Sequence, residues 1–75
     1  FAEGQGKSSF SQATYQRALT AYQQRDFELA QRLFGELVAH NPKVMSLHLD
    51  YGVVLEGAGK VEEAREAYNK AAGVF

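Results

Sequence analysis

The chain repeats its own pattern of small and apolar residues at a constant distance of 34 positions. Ala30 is matched by Ala64 (64 − 30 = 34), and Phe34 is matched by Tyr68 at the same offset. Further pairs at this offset are Ala18 with Gly52, Phe27 with Val61, and Leu37 with Ala71. A period of this length indicates a repeat architecture, in which each copy is one small structural unit that stacks on the next.

The stretch from Asp26 to Pro42 is predicted to form one helix of this unit. Asp26 can cap its first turn by accepting a hydrogen bond from a backbone N–H that the helix leaves unpaired. Apolar residues then recur at three- and four-residue spacing, which predicts a single buried stripe. The stripe consists of Phe27, Ala30, Leu33, Phe34, Leu37 and Val38. Pro42 ends the helix because it has no N–H and disfavours helical geometry at Asn41.

The same periodicity predicts three more helices. One precedes this stretch and runs to about Gln24, one runs from about Val44 to Glu56, and one begins near Val61. The helix from Val44 carries apolar residues on one side at Leu47, Tyr51, Val54 and Leu55, and on another at Leu49 and Val53. Gly57 and Gly59 lie in the turn that follows it, where glycine adopts a left-handed conformation at little cost.

Two sets of residues make the chain resemble the tetratricopeptide repeat family. The first copy carries Tyr15, Ala18, Tyr22, Asp26, Phe27, Ala30, Phe34 and Pro42, and the second carries Tyr51, Gly52, Leu55, Gly59, Ala64, Tyr68 and Ala71. The resemblance extends from about Ser11 to the end and departs from the family at Thr14, Arg17 and Lys60. It implies an all-α fold of two antiparallel helix-turn-helix pairs, stacked as a short α-solenoid of four helices. Residues 1–10 would be a flexible lead-in, 11–44 the first repeat and 45–75 the second.

The resemblance also implies a function, because repeats of this family hold a partner on a concave face. Carried over to this chain, the groove positions are Gln12, Tyr15, Gln16, Leu19, Tyr22, Gln23, Ser46, Leu49, Asp50, Val53 and Glu56. The Lys, Arg and Asn residues with which one subclass grips a carboxylate are missing from these positions. An apolar groove with polar edges suits an amphipathic helix or a hydrophobic segment, so the expected role is an adaptor or scaffold that binds a protein or peptide.

Other occupants and roles remain open at this point. Phe1 and Phe10 of the lead-in could fill the groove, or a second copy of the chain could cover it in a homodimer. The chain could instead assemble by stacking through an exposed end face formed by Ala67, Ala71, Val74 and Phe75. Two copies fall short of the three or so that make such arrays stable, which favours missing repeats or a dimer. A third role is a docking appendage of a larger catalytic, secretion or assembly protein.

Composition argues against several other functions. The net charge of −1, with both signs scattered, has no footprint for nucleic acid or anionic lipid. No apolar run approaches the ~18 residues of a membrane span, and Phe1 in place of methionine indicates a piece cut from a longer protein. The absence of cysteine excludes disulfides and thiolate sites.

The remaining polar residues do not form a catalytic or metal-binding pattern. His40 and His48 lack metal-ligand spacing, and they are expected at a helix end and on the surface, respectively. Gly6-Lys7-Ser8 resembles the end of a phosphate-binding loop, but Phe1 stands where that loop requires glycine. No Ser/His/Asp or paired-carboxylate arrangement is evident. The prediction is therefore a non-enzyme with no cofactor, no metal and no catalytic residue.

Overall fold

The computed structural model describes residues 12–73 as four consecutive α-helices. They are α1 (Gln12–Gln23), α2 (Phe27–His40), α3 (Met45–Gly57) and α4 (Val61–Gly73). Each helix packs on the next one along the chain, and this part of the chain contains no strand. The predicted all-α stack of two helix pairs is confirmed. The predicted lead-in over 1–10, with Gly6-Lys7-Ser8 and Phe10, lies outside the described residues, as do Val74 and Phe75.

Side chains and backbone close both ends of α2 as its sequence predicts. An Asp26 carboxylate oxygen accepts a hydrogen bond from the Leu29 N–H at 3.3 Å. At the other end, the Asn41 backbone N–H donates to the Leu37 and Val38 carbonyls at 2.9 and 3.3 Å. The Asn41 side-chain amide also donates to the Leu37 carbonyl. These bonds satisfy carbonyls that the helix leaves unpaired immediately before Pro42.

The turns within the two helix pairs are built identically. Arg25 has φ 64° and Gly59 has φ 84°, and these residues are one repeat apart (59 − 25 = 34). The Arg25 N–H donates to the Tyr22 carbonyl, and the Gly59 N–H donates to the equivalent Glu56 carbonyl. The sequence predicts a left-handed residue only at a glycine, Gly57 or Gly59; of these two, Gly59 adopts it, and Arg25 was not predicted to. A left-handed arginine is strained because its Cβ approaches backbone oxygen, so its turn is imposed by the helices on either side.

Exchanging the residue type at these two turns is expected to change stability in opposite directions. Gly59→Ala should destabilise by about 1 kcal/mol, since a Cβ there meets no atom within 4 Å and only the left-handed backbone opposes it. Arg25→Gly should stabilise by up to about 1 kcal/mol because it removes the corresponding strain. Urea unfolding of both variants measures the two changes. Equal destabilisation by both substitutions would contradict this account of Arg25.

The main core cluster is built by α1, α2 and α3 and combines fully buried small residues with a few large ones. Ala18 and Ala30 are 0% exposed. Their small side chains let α1 and α2 approach closely. Phe34 belongs to a cluster that also contains Leu47 and Val54 of α3. It meets the Tyr15 ring of α1 edge-on, with ring centroids 5.9 Å apart. A second cluster joins α3 to α4 through Leu55, Ala64 and Ala67. The stripe predicted for α2 is confirmed, with Phe27 and Val38 half-buried at its two ends.

The predicted end face on α4 is wrong for the two residues that the structure describes. Ala67 and Ala71 are buried, 4% and 2% exposed, rather than presented to another repeat. The reason is helical geometry: both residues continue the inward stripe begun by Ala64, and their small side chains let α4 approach α3. The outer side of α4 is polar. It carries an exposed ion pair in which Arg65 Nη1 lies 3.9 Å from Glu62 Oε1.

The prediction that His48 lies on the surface is wrong, because the residue is buried. It is 4% exposed, and its Nε2–H donates a 2.7 Å hydrogen bond to the Pro42 carbonyl. That bond fixes the first turn of α3 to the loop that leads into it, where Val44 caps the helix without any side-chain bond. His40 lies at the end of α2 as expected, and its Nδ1 is 2.9 Å from the Glu36 carbonyl.

Candidate functional site

A row of exposed apolar side chains runs along α3. Met45, Leu49 and Val53 are 39%, 40% and 40% exposed, while Leu47 and Val54 on the other side of the helix are 1% exposed. Residues four apart lie above one another on a helix, so the three exposed residues form one stripe over two turns. A helix that is apolar on opposite sides is normally covered on both. We call this row the α3 stripe.

Helix α1 forms the neighbouring wall. Leu19 and Tyr22 are half-buried and pack against the core, while Gln12, Gln16 and Gln23 are exposed beside them. The centroids of the Tyr22 and Phe27 rings are 5.8 Å apart, and both rings lie against Gly57 at the end of α3. This wall is therefore neutral and amide-rich, with its apolar residues partly used by the core.

A hydrogen bond joins the two walls. The Tyr15 hydroxyl of α1 donates to Asp50 Oδ2 of α3 at 3.1 Å, across 35 residues of sequence. Burial raises the pKa of Tyr15, and the hydrogen bond to Asp50 and the negative charge of that carboxylate raise it further. Tyr15 therefore stays a neutral donor around pH 7, and Asp50 is held in one position at the edge of the α3 stripe.

A second tyrosine holds the other carboxylate of α3. The Tyr68 hydroxyl of α4 donates to Glu56 Oε1 at 2.8 Å. This hydrogen bond is the main cause that raises the pKa of Tyr68, with desolvation and the charge of Glu56 adding to it. The Tyr68 ring reaches that position by lying against Gly52, where no side chain intervenes.

None of the predicted groove residues is buried. Gln12, Gln16, Gln23, Ser46, Leu49, Val53 and Glu56 are exposed, and Tyr15, Leu19, Tyr22 and Asp50 are half-buried. The structure brings Tyr15 and Asp50 into contact, whereas Tyr22 contacts the core residue Phe27. Met45 belongs to the α3 stripe but is not among the predicted positions. The four-residue spacing from Val53 through Leu49 could have identified it.

A separate cleft of about 550 Å³ lies near the C-terminal ends of α2 and α4. Val38, Ala39, Pro42, His48, Lys70 and Gly73 line it, and none of these is a predicted groove residue. Within residues 12–73, no group of three His, Cys, Asp or Glu side chains could hold a metal ion. None of the helices α1–α4 is both long and apolar enough to cross a membrane.

Paired helices that recur with a 34-residue period are typical of the class of helical repeat proteins. The sequence profile described as tetratricopeptide repeat matches residues 15–73, and the chain belongs to that family. Neither a curated protein nor a solved structure shows a match to the chain. Tetratricopeptide repeats serve in general as protein–protein interaction modules and are typically non-catalytic.

Proposed function

We propose that the chain is an adaptor that binds an amphipathic helix or hydrophobic segment of a partner protein along the α3 stripe. The observation that carries the proposal is the exposure of Leu49 and Val53, at 40% each, on the helix side opposite the core. Exposing three apolar side chains in one row is unfavourable unless something covers them. The predicted groove positions around the stripe complete the proposed site.

The dimensions of the stripe suit a helix. From Met45 to Val53 it extends about 12 Å at 1.5 Å per residue, which matches the spacing of apolar residues over two turns of a partner helix. Such helices dock with residues at i, i+3, i+4 and i+7 as anchors. The exposed amides of Gln12, Gln16 and Gln23 on the α1 wall can bond polar groups at the edge of the partner.

The same residues disfavour recognition of a carboxylate terminus. No lysine or arginine occupies any predicted groove position, and the charged groups there are Asp50 and Glu56. A bound carboxylate would meet like charge instead of the cationic fork that pairs with it favourably. The proposed contact is therefore made by side chains along a segment and not by a chain end.

Replacing Leu49 with glutamate should weaken binding of a neutral helical peptide by at least about tenfold while leaving the fold intact. Leu49 is exposed, so the change costs little folding stability, but it puts a charge in the middle of the apolar contact. The probe is a synthetic peptide of leucine and glutamine, about 14 residues long, with leucine on one helical face. Titration followed by the backbone NMR signals of positions 49 and 53 reports both affinity and location in wild type and variant.

Val61→Glu provides the matched control, since Val61 is 58% exposed and belongs to α4 and not to the α3 stripe. Equal binding by wild type and Leu49→Glu would exclude the α3 stripe as the contact. Sedimentation of both variants distinguishes a second copy of the chain as occupant. In that case wild type and Val61→Glu would dimerise with rising concentration, Leu49→Glu would remain monomeric, and the adaptor proposal would fail.

A further inference from the structure

We propose that the groove selects a basic partner: an amphipathic helix whose apolar face is flanked by lysine or arginine. This inference rests on the proposed function and adds the sign of charge that the partner must carry. It follows from where the two carboxylates of α3 lie, what holds them, and which charges are missing around them.

The two carboxylates lie at different edges of the α3 stripe. Asp50 follows Leu49 by one residue and is therefore turned about 100° around the helix, toward α1. Glu56 is seven residues beyond Leu49, or nearly two full turns, so it continues the line of the stripe at its C-terminal end. A helix lying on Leu49 and Val53 would meet one carboxylate at its flank and the other near its end.

Among the groove positions of residues 12–73, no lysine or arginine offsets these carboxylates. The predicted groove positions carry Asp50 and Glu56 and no lysine or arginine. Lys43 and Lys60 lie in the turns before and after α3, beyond the ends of the stripe. The groove is thus locally negative, although the whole chain has a net charge of only −1. Charge complementarity of this kind selects partners more than it adds affinity.

Tyrosine hydroxyls fix both carboxylates in place before any partner arrives. Tyr15 bonds Asp50 Oδ2 and Tyr68 bonds Glu56 Oε1, which leaves one oxygen of each carboxylate without a hydrogen-bond partner among residues 12–73. A carboxylate can accept further bonds at that oxygen, and a lysine or arginine supplies charged donors for it. Because the carboxylates are already ordered, pairing costs less side-chain entropy than it does at a mobile surface residue.

The test compares three peptides of about 14 residues that share one leucine face and carry lysine, glutamine or glutamate on the other. We expect the lysine peptide to bind the 75-residue chain about three- to tenfold more tightly than the glutamine peptide at low salt, and the glutamate peptide to bind more weakly. About 0.5 M salt should remove most of the difference by screening.

Asp50→Asn and Glu56→Gln remove the charge but keep an acceptor oxygen for Tyr15 and Tyr68. Each should weaken lysine-peptide binding about two- to fivefold and should weaken glutamine-peptide binding by a clearly smaller factor. Glu36→Gln is the matched control, since Glu36 is exposed on α2 and outside the groove. An equal loss in Glu36→Gln would mean that net charge alone attracts the peptide, which would overturn the inference.

The outcomes separate this inference from the proposed function. If the glutamine peptide perturbs Leu49 and Val53 but the lysine peptide binds no more tightly, the groove binds helices without charge preference and only the inference fails. If none of the three peptides perturbs Leu49 or Val53 at about millimolar concentration, both the inference and the proposed function fail. A lysine preference that disappears in the Asp50→Asn, Glu56→Gln double variant supports both.

Discussion

Replacing Phe34 with alanine is expected to lower the free energy of unfolding by about 3–5 kcal/mol. Phe34 is 1% exposed, contacts the Tyr15 ring of α1, and shares a buried cluster with Leu47 and Val54 of α3. Its removal leaves a cavity that the rigid helices around it cannot close completely. A domain of this size has a total stability near the lower end of 5–15 kcal/mol, so most of the molecules should unfold near body temperature.

Urea unfolding followed by circular dichroism measures this effect, with two variants for comparison. Phe34→Leu keeps most of the volume and should cost less than half as much. Tyr68→Ala removes the equivalent residue of the second repeat, which is half-buried, and should also cost less than Phe34→Ala. A loss below about 1 kcal/mol for Phe34→Ala would show that the packing around Phe34 is not a main source of stability.

Gly52→Ala is expected to destabilise the second repeat by about 1–3 kcal/mol, although alanine is the better helix former. A Cβ at Gly52 would lie only 2.6 Å from Tyr68 Cε1, and two further ring atoms would be within 3.0 Å. The ring cannot move aside freely, because it packs on Leu55, Ala64 and Ala67 and its hydroxyl is bonded to Glu56. Relief of the clash must break one of these contacts.

Gly35→Ala is the matched control for this prediction, since Gly35 also lies inside a helix. A Cβ there would meet its nearest atom, the Tyr51 hydroxyl oxygen, at 3.6 Å, which is an ordinary contact. This variant should gain up to about 1 kcal/mol from helix propensity. Comparing the thermal unfolding of the two variants therefore separates the effect of the clash with Tyr68 on stability from the effect of helix propensity. If both variants were stabilised, the Tyr68 ring would be free to move, and the close approach at Gly52 would not be a constraint.

Tyr15 and Tyr68 connect the stability of the fold to the proposed site. Each ring is part of the packing between helices, and each hydroxyl bonds a carboxylate of α3. A change that loosens either ring also releases Asp50 or Glu56 from its position. We therefore expect core variants at Phe34 or Gly52 to affect partner choice as well as stability.

Most of the fold could be predicted from sequence because its rules are local or periodic. The cap at Asp26, the stop at Pro42 and the inward stripe of α2 each depend on residues within a few turns of one another. The 34-residue offset then relates one helix pair to the next. The same offset could have revealed the left-handed turn at Arg25, since the equivalent residue is Gly59.

Predictions made for single helices in isolation were less successful. Ala67 and Ala71 could belong to an exposed end or to an inward stripe, and packing against α3 places them inside. His48 has a polar side chain, but the Pro42 carbonyl offers it a partner within the fold, so burial is tolerated. In both cases the deciding contact comes from outside the residue's own helix.

The sequence by itself determined the repeat, the helix ends and the exposed row at Leu49 and Val53, because these follow from spacing along the chain and from family resemblance. Only the tertiary structure decided which polar groups meet across helices. Tyr15 and Asp50 are 35 residues apart, and neither periodicity nor capping rules relate them. Side-chain hydrogen bonds depend on the distance and angle between packed helices, and those are set by the volumes of Ala18, Ala30, Phe34 and Gly52 together.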